Sequence, residues 1–198
     1  MTLVKICGIT NMDDAAAAVA AGADMLGFNF YKPSPRYITP QKVREIVKRF
    51  PSEVLKVGVF VNEELANVQT ITREAGLGAI QLHGDESPEY CSKFPGWYVI
   101  KAFAVNDTFD VHVAEAYDVD AIMLDTKHNR LRGGTGRVFD WSVARQAALT
   151  IPELYLAGGL SPENVENAIK MVRPVAVDAC SSLKTAPEKR TTSACVYL

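Results

Sequence analysis

Six polar residues of this sequence end or closely follow short apolar runs, and their chemical types suit proton transfer. They are Cys7, Asn29, His83, Lys101, Asp125 and Asp178. A thiolate or an imidazole can accept a proton and a carboxylic acid can donate one, so such a set can perform acid–base catalysis once a fold brings it together. No two histidines have the spacing of metal ligands, so the sequence gives no support to a metal site.

Cys7 is the candidate base of this set. It is followed by Gly8, so little backbone bulk stands beside its sulfur. Lys5 lies two residues earlier and would share a strand face with Cys7, and a nearby cation favours the thiolate over the thiol. An isolated cysteine is commonly no more than a small buried hydrophobic residue, and that alternative stays open at this point.

Asp125 is the candidate acid, because it closes the apolar run Met123-Leu124 where an unpaired carboxylate is costly to bury. Its alternative interpretation is a cap or a structural salt bridge. His83 and Asp178 have similar positions, and each could instead be a hydrogen-bonded support of the loop that follows it.

Glycine-rich loops are the candidate phosphate sites. Gly133–Gly136 and Gly158–Ser161 match neither a P-loop nor a dinucleotide fingerprint, and either could be a tight turn. Gly158-Gly159 and Ser181-Ser182 follow the last two predicted strands, where backbone amides and hydroxyls commonly hold phosphate. Arg36, in a proline-stiffened loop, suits a substrate carboxylate; the alternative is a solvated surface arginine.

The elements that must position these residues are short apolar runs with helix signals between them, among them Thr39-Pro40 as cap and first turn and Ser161-Pro162. Strict alternation of strand and helix predicts a parallel sheet. Eight strands in a chain of this length favour a closed eight-stranded β/α barrel, a TIM barrel, over an open flavodoxin-like sheet that would leave two of them unexplained. The predicted strands are Leu3–Ile6, Met25–Phe30, Leu55–Phe60, Ala79–Leu82, Tyr98–Lys101, Ala121–Leu124, Leu154–Ala157 and Val175–Val177.

Strand alternation sorts these side chains between the barrel interior and the helices outside. It predicts Lys5 and Cys7 inward on the first strand, Met123 and Asp125 inward on the sixth, and Asp178 inward on the eighth. Apolar partners face outward: Val4, Ile6, Ile122, Leu124, Val175 and Val177. The six polar residues are thus expected to converge on the mouth formed by the carboxyl ends of the strands.

Composition limits the domain count and the partners. With 198 residues, 48% of them hydrophobic, a single domain over residues 1–198 is predicted. A net charge of −2 predicts that nucleic acid is not a partner. The sequence has no apolar run of membrane-spanning length, no leader pattern at its start and no paired cysteine spacing, which together predict a cytoplasmic protein without membrane contact.

Several motifs of this sequence together resemble phosphoribosylanthranilate isomerase, from the first strand to about residue 183. They are Lys5–Thr10, Lys32–Arg36, Val57–Asn62, Gln81–Glu86, Leu124–Thr126 with Gly133–Gly136, Ala157–Leu160 and Val177–Ser182. The resemblance implies an aldose–ketose isomerase of tryptophan biosynthesis that acts on a small phosphosugar, as a monomer or a homodimer. It implies that Asp125 protonates the ribose ring oxygen to open the ring, and that Cys7 removes the C2 proton without any cofactor.

The resemblance also assigns the remaining site residues. It implies that Arg36 binds the anthranilate carboxylate and that the phosphate is held by Gly158, Gly159, Ser181 and Ser182. His83 and Asp178, from their positions at strand ends of the same mouth, are expected to be further substrate contacts. Two alternatives stay open: a barrel that binds phosphosugars without catalysis, and an isomerase of a related amino-sugar phosphate.

The resemblance stops after Leu183, where Lys184 replaces the family's glutamate and the closing amphipathic helix is expected to be atypical or missing. A shift by a single nucleotide in the back-translated segment Glu188–Leu198 gives an ending closer to the family's, which raises the hypothesis of a frameshifted terminus. Without the helix, the outer faces of the first and eighth strands are expected to be partly exposed. The apolar tail Ala194–Leu198 or a second subunit would then cover them.

Overall fold

Eight parallel strands close into a barrel in the order in which they occur along the chain. The structure, a computed structural model, describes residues 1–105, 109–126, 141–180, 184–186 and 189–190. The predicted eight-stranded β/α barrel is therefore confirmed. Its strands are β1 (Leu3–Cys7), β2 (Met25–Asn29), β3 (Leu55–Phe60), β4 (Ala79–Leu82), β5 (Tyr98–Val105), β6 (Ala121–Thr126), β7 (Leu154–Ala157) and β8 (Ala176–Ala179).

The strand bounds differ from the predicted ones where a polar residue continues an apolar run. β1 includes Cys7 and β6 extends through Asp125 to Thr126, because both ladders pair beyond the last apolar residue. β8 begins at Ala176, one residue later than predicted, and continues through Asp178. The polar residues thus lie on the strands themselves, which fixes their direction more firmly than a loop would.

Helices follow the strands on the outside of the barrel. α2 has the predicted cap, since the Thr39 hydroxyl accepts a hydrogen bond from the Lys42 amide and Pro40 opens the helix. α6 begins at Val165 and not at the predicted Ser161-Pro162, because the Ser161 amide donates to the Asn164 side chain in a turn that precedes the helix. The helices are α1 (Met12–Ala20), α2 (Pro40–Val47), α3 (Leu65–Ala75), α4 (Pro88–Cys91), α5 (Ser142–Thr150) and α6 (Val165–Val172), with a 3-10 helix at Val111–Ala116.

The barrel interior is a separate apolar layer from the one under the helices. Alternate strand residues fill it: Met25, Val57, Ala79, Ile100, Ala102, Ala121, Met123, Tyr155, Ala157 and Ala176. The intervening residues, such as Ile6, Leu124 and Val177, pack outward against helices, as alternation predicts.

Lys101 is the exception among the predicted mouth residues. It lies between the inward Ile100 and Ala102, so its side chain points outward, and the prediction that it faces the mouth is wrong. It is buried there, with its ammonium 2.7 Å from Glu86 Oε2 and 2.6 Å from the carbonyl of Gly84. Lys101 therefore secures the loop after β4 and takes no part in the site.

The segment after β8 has two short antiparallel strands, β9 (Lys184–Ala186) and β10 (Lys189–Arg190), where a barrel of this kind has its last helix. The predicted exposure of the neighbouring seam is wrong for Ile6 and Val177, which are buried, while Val4 and Val175 are half-buried. The tail Ala194–Leu198 lies outside the described residues. Within the described ranges, no helix has both the length and the apolar character needed to cross a membrane.

Candidate active site

The carboxyl ends of β1, β4, β6 and β8 bring four of the predicted residues to one mouth of the barrel: Cys7, His83, Asp125 and Asp178. Cys7 and Asp178 are buried, whereas the His83 and Asp125 side chains keep 28% and 25% of their surface open to solvent. β7 and β8 separate the strand of Cys7 from that of Asp125. The thiol and the carboxyl group therefore approach a ligand in the mouth from different sides.

Cys7 ends β1, and its side chain lies against the neighbouring strand β2. Its register partner on β2 is Gly27, and a Cβ at Gly27 would lie 2.8 Å from the Cys7 sulfur, closer than real side chains approach. The glycine thus provides the space that the sulfur occupies. On the other side, Ile6 pairs with Ala179, so the next residues along both strands, Cys7 and Cys180, are neighbours.

Lys5 and Asp178 form an ion pair in the barrel interior directly below Cys7. Lys5 Nζ lies 3.1 Å from Asp178 Oδ1, and neither side chain has more than 7% of its surface exposed. Burial raises the pKa of Asp178 to about 7, because the positive charge of Lys5 offsets only part of the cost of a buried carboxylate. Burial alone would lower the pKa of Lys5, but the charges of Asp178 and Cys7 outweigh it and the pKa is raised.

Neighbouring groups shift the pKa of Cys7 in opposite directions. A hydrogen bond with Cys180 and burial of the sulfur raise its pKa well above the ordinary thiol value, and the positive charge of Lys5 acts in the opposite direction. In the described part of the chain, Cys7, Cys91 and Cys180 are thiols that form no disulfide. The ligand-free site therefore favours the thiol, and Lys5 is the neighbour that stabilises the thiolate.

Asp125 is hydrogen-bonded to an imidazole. His83 Nε2 lies 3.1 Å from Asp125 Oδ2, and the other ring nitrogen, Nδ1, lies 2.8 Å from Gln81 Nε2. Gln81 is a buried, inward residue of β4, so it fixes the ring from below. An amide that donates to Nδ1 leaves the proton of a neutral imidazole on Nε2, where it points at the carboxylate.

Arg36 reaches the same mouth from the loop after β2. Its Cδ lies 2.5 Å from the position that a Cβ of Gly8 would take, which places the side chain over the turn that follows Cys7. Its Nε is buried and has no hydrogen-bond partner among the described residues. A buried guanidinium donor without an acceptor is costly, so the site is suited to an anion that would supply one.

The predicted phosphate site is described only in part. Gly158 and Gly159 follow β7 directly with φ values of +92° and +64°, and the Asn164 side chain donates to the Gly159 carbonyl. This left-handed turn is one that glycine adopts without strain, and such turns can present successive amides to an anion. Ser181, Ser182 and Gly133–Gly136 lie outside the described residues.

Three residues of this site are not among those predicted from the sequence: Gly27, Gln81 and Cys180. Gly27 and Gln81 each lie on a strand face that alternation could have identified, because Met25 and Ala79 precede them on the same inward faces. Cys180 was noted only as part of a motif, and its contact with Cys7 depends on the pairing of β8 with β1. Among the described residues, no cluster of three or more His, Cys, Asp or Glu side chains could hold a metal ion.

Known proteins match this chain over almost its whole length. The profile of the family described as N-(5'-phosphoribosyl)anthranilate (PRA) isomerase matches residues 4–190. The N-(5'-phosphoribosyl)anthranilate isomerase of Thermotoga neapolitana is 49% identical over 191 residues, which cover 96% of this chain and 93% of that protein.

Solved structures agree with the sequence match. The phosphoribosylanthranilate isomerase of Thermotoga maritima superimposes with a TM-score of 0.92 at 43% identity, over 100% of this chain and 96% of that one. A phosphoribosylanthranilate isomerase in complex with reduced 1-(o-carboxyphenylamino)-1-deoxyribulose 5-phosphate superimposes with a TM-score of 0.90 at 41% identity, over the same shares. Monomers generated from the dimeric Thermotoga maritima protein match with a TM-score of 0.89 at 41% identity, again over the same shares.

Proposed function

This chain belongs to the N-(5'-phosphoribosyl)anthranilate isomerase family, and we propose that Cys7 and Asp125 are the base and the acid of its reaction. It is an isomerase of tryptophan biosynthesis that converts N-(5'-phosphoribosyl)anthranilate into 1-(o-carboxyphenylamino)-1-deoxyribulose 5-phosphate. An aldose becomes a ketose without gain or loss of atoms, so the chemistry consists of proton transfers and the residues that perform them must face one ligand from two sides.

The first step opens the ribose ring. Asp125 in its protonated form donates a proton to the ring oxygen while the bond between that oxygen and C1 breaks, and the nitrogen lone pair forms the C1–N double bond of a Schiff base. The hydrogen bond from His83 holds the Asp125 carboxyl group toward the mouth and stabilises the carboxylate that remains once the proton has been transferred. The partial solvent exposure of both side chains lets the acid recover its proton after each turnover.

The second step moves the double bond. The Cys7 thiolate removes the C2 proton, the electron pair of that C–H bond forms the C1–C2 double bond, and the protonated nitrogen of the Schiff base gains the electrons of the former C–N double bond, which gives a neutral enolamine. Tautomerisation of the enol at C2 then yields the ketone. The separation of β1 from β6 by two strands around the mouth supports this division, since the base and the acid act on different atoms of one small sugar.

The two anionic groups of the substrate, its carboxylate and its phosphate, are bound by hydrogen-bond donors. Arg36 holds the anthranilate carboxylate, and its buried Nε, which has no hydrogen-bond partner in the part of the chain that the structure describes, supports this assignment. The left-handed turn at Gly158 and Gly159 contributes amides to the phosphate site. The predicted roles of Ser181 and Ser182 at the phosphate and of Asp178 and His83 as substrate contacts remain part of the same proposal.

A phosphosugar is thus the small-molecule partner, and a homodimer is a further proposal suggested by the dimeric Thermotoga maritima relative. Exposed apolar side chains, including Tyr31, Val113 and Met171, offer surface for such an interface. We also place the protein in the cytoplasm, which the sparse, unpaired spacing of its cysteines supports.

The observation that carries the proposed roles is the convergence of Cys7, with Lys5 behind it, and Asp125, with His83 behind it, on one mouth. The test is the loss of substrate fluorescence when the purified protein is mixed with phosphoribosylanthranilate. Turnover by the wild-type chain and its loss in Cys7→Ala and Asp125→Asn are the expected results. Substrate binding without turnover by the wild-type chain would instead identify a barrel that only binds phosphosugars.

A further inference from the structure

The proposed reaction leaves one charged group of the barrel interior without a function. Lys5 is fully buried, and a buried ammonium is energetically costly unless nearby groups of opposite charge stabilise it. It lies two residues before Cys7 on the same inward face of β1, and its Nζ is 3.1 Å from Asp178 Oδ1. The lysine therefore has the Cys7 sulfur on one side and the Asp178 carboxylate on the other.

We propose that Lys5 is the positioning residue that stabilises the Cys7 thiolate, and that Asp178 regulates it by competing for the same positive charge. When Asp178 is ionised, the ammonium is neutralised within the ion pair and the thiol form of Cys7 is favoured. When Asp178 is protonated, the charge of Lys5 is available to the sulfur. This proposal rests on the proposed role of Cys7 as base and explains why a buried cation accompanies it.

The charges that face Cys7 support a competition of this kind. On β1 the neighbour is Lys5; on and beyond β8 the neighbours are Asp178 and Cys180; the facing residue of β2 is Gly27, which has no charge. Asp125 on β6 adds a negative charge that acts on Asp178, and Arg36 lies over Gly8. Among the described residues, Lys5 is thus the cation that acts on the sulfur, and Asp178 is the anion paired with it.

The pKa directions agree with this geometry. Lys5 and Cys7 influence each other, since the ammonium lowers the pKa of the thiol while the thiolate raises the pKa of the ammonium. The pKa of Asp178 is raised to about 7 by burial, and the negative charge of Cys7 contributes to that rise. Asp178 consequently changes its charge near neutral pH, where the competition would act. Lys5 keeps its proton throughout, so it stabilises the base and is not itself the base.

The experiment measures the protonation of Cys7 directly. The full-length protein is treated with iodoacetamide at a series of pH values, and the alkylation rate at Cys7 is read from its peptide by mass spectrometry, because the thiolate is the reactive form. Lys5→Met should move the alkylation profile to higher pH and slow the reaction at pH 8 by roughly tenfold, which corresponds to about one pKa unit. Asp178→Asn should move it in the opposite direction, to lower pH.

Two further variants make the result decisive. Lys5→Met leaves a buried carboxylate alone, so the double variant with Lys5→Met and Asp178→Asn removes both charges; it should fold, and its profile should lie between those of the two single variants. The double variant with Lys101→Met and Glu86→Gln, which removes another buried ion pair outside the mouth, should leave the profile of Cys7 unchanged. No shift in Lys5→Met, shifts of the same direction in Lys5→Met and Asp178→Asn, or a double-variant profile outside the range between the two single variants would overturn the proposal.

Failure of this proposal differs from failure of the proposed function. Alkylation reports on the thiolate whether or not Cys7 takes part in catalysis, so normal turnover in Cys7→Ala would remove the proposed base and leave the alkylation result intact. If both proposals hold, Lys5→Met should lower kcat about as much as it slows alkylation, with a smaller change in KM.

Discussion

The imidazole of His83 lies 3.1 Å from the carboxylate of Asp125 and 2.8 Å from the amide of Gln81, so the proposed acid is the exposed end of a chain of three side chains. Gln81 is buried, His83 and Asp125 are partly open, and the chain runs from the barrel interior to its mouth. From the sequence, His83 is expected to contact the substrate. The structure also gives it a contact with the acid, and these two roles predict different kinetics.

His83→Phe keeps a ring of similar size and removes both hydrogen-bonding nitrogens. We expect kcat to fall by roughly 10- to 100-fold with KM changed by less than about threefold, because a supported acid contributes to the transition state more than to substrate binding. Gln81→Leu, which removes only the fixation of the ring, should have a smaller effect in the same direction. A large rise in KM with an unchanged kcat would identify His83 as a substrate contact alone.

Removal of the proposed base or acid should have the largest effect on turnover. Cys7→Ala and Asp125→Asn should each lower kcat by at least ~100-fold, since each loses a proton-transfer group and little core volume. Steady-state kinetics measured by substrate fluorescence test this, with thermal melting as the control for folding. Turnover close to wild type in either variant would exclude that residue from the mechanism.

Arg36→Met should mainly weaken binding. The carboxylate that Arg36 is proposed to hold is remote from the bonds that change, so KM should rise by at least ~10-fold while kcat falls less. Arg36→Lys keeps the charge but loses the planar fork, and it should recover only part of the affinity. An unchanged KM in Arg36→Met would mean that the buried Nε is satisfied in some other way and that the carboxylate is bound elsewhere.

Cys180 should limit the reactivity of Cys7. The hydrogen bond between the two thiols is the largest cause of the raised pKa of Cys7, so Cys180→Ala should lower that pKa and increase the thiolate fraction at a given pH below it. The alkylation rate of Cys7 at pH 8 should rise by several-fold, with the rate at Cys91, which is buried elsewhere, as internal control. A slower reaction at Cys7 would show that Cys180 stabilises the thiolate instead.

The barrel and the residues of its mouth could be predicted because both depend on local patterns. Leu55–Phe60 is apolar except for Lys56, as is typical of a strand buried on both faces, and its predicted bounds are correct. Cys7 and Asp125 follow apolar runs, and alternation of side chains assigns them to the interior without knowledge of the other strands.

The features that could not be predicted depend on contacts between distant segments. Cys7 and Cys180 are neighbours because the first and last strands of the barrel pair with each other. The sequence of neither strand indicates which residues pair. Lys101 was misplaced because its partner, Glu86, lies in a loop, so the sequence shows a lysine at the end of an apolar run and not the ion pair that buries it.

Substitution of Lys101 should therefore lower the stability of the fold and leave the catalytic reaction unchanged. Its ammonium is bonded to Glu86 and to the carbonyl of Gly84, with both charged side chains almost fully buried, and Glu86 also accepts hydrogen bonds from the amides of Asn62 and Gly84. Lys101→Met would leave the Glu86 carboxylate buried without its cation, which should lower the free energy of unfolding by about 3–5 kcal/mol. Chemical denaturation measures this loss.

The matched control is the double variant with Lys101→Met and Glu86→Gln, because glutamine removes the uncompensated charge and keeps an acceptor oxygen for the two amides. It should regain at least half of the lost free energy of unfolding. In both variants kcat should stay within about threefold of wild type at a temperature where the protein is folded, since Lys101 points away from the mouth. A loss of kcat comparable to that of Cys7→Ala, in a folded Lys101→Met protein, would contradict the outward placement of this lysine and return it to the site.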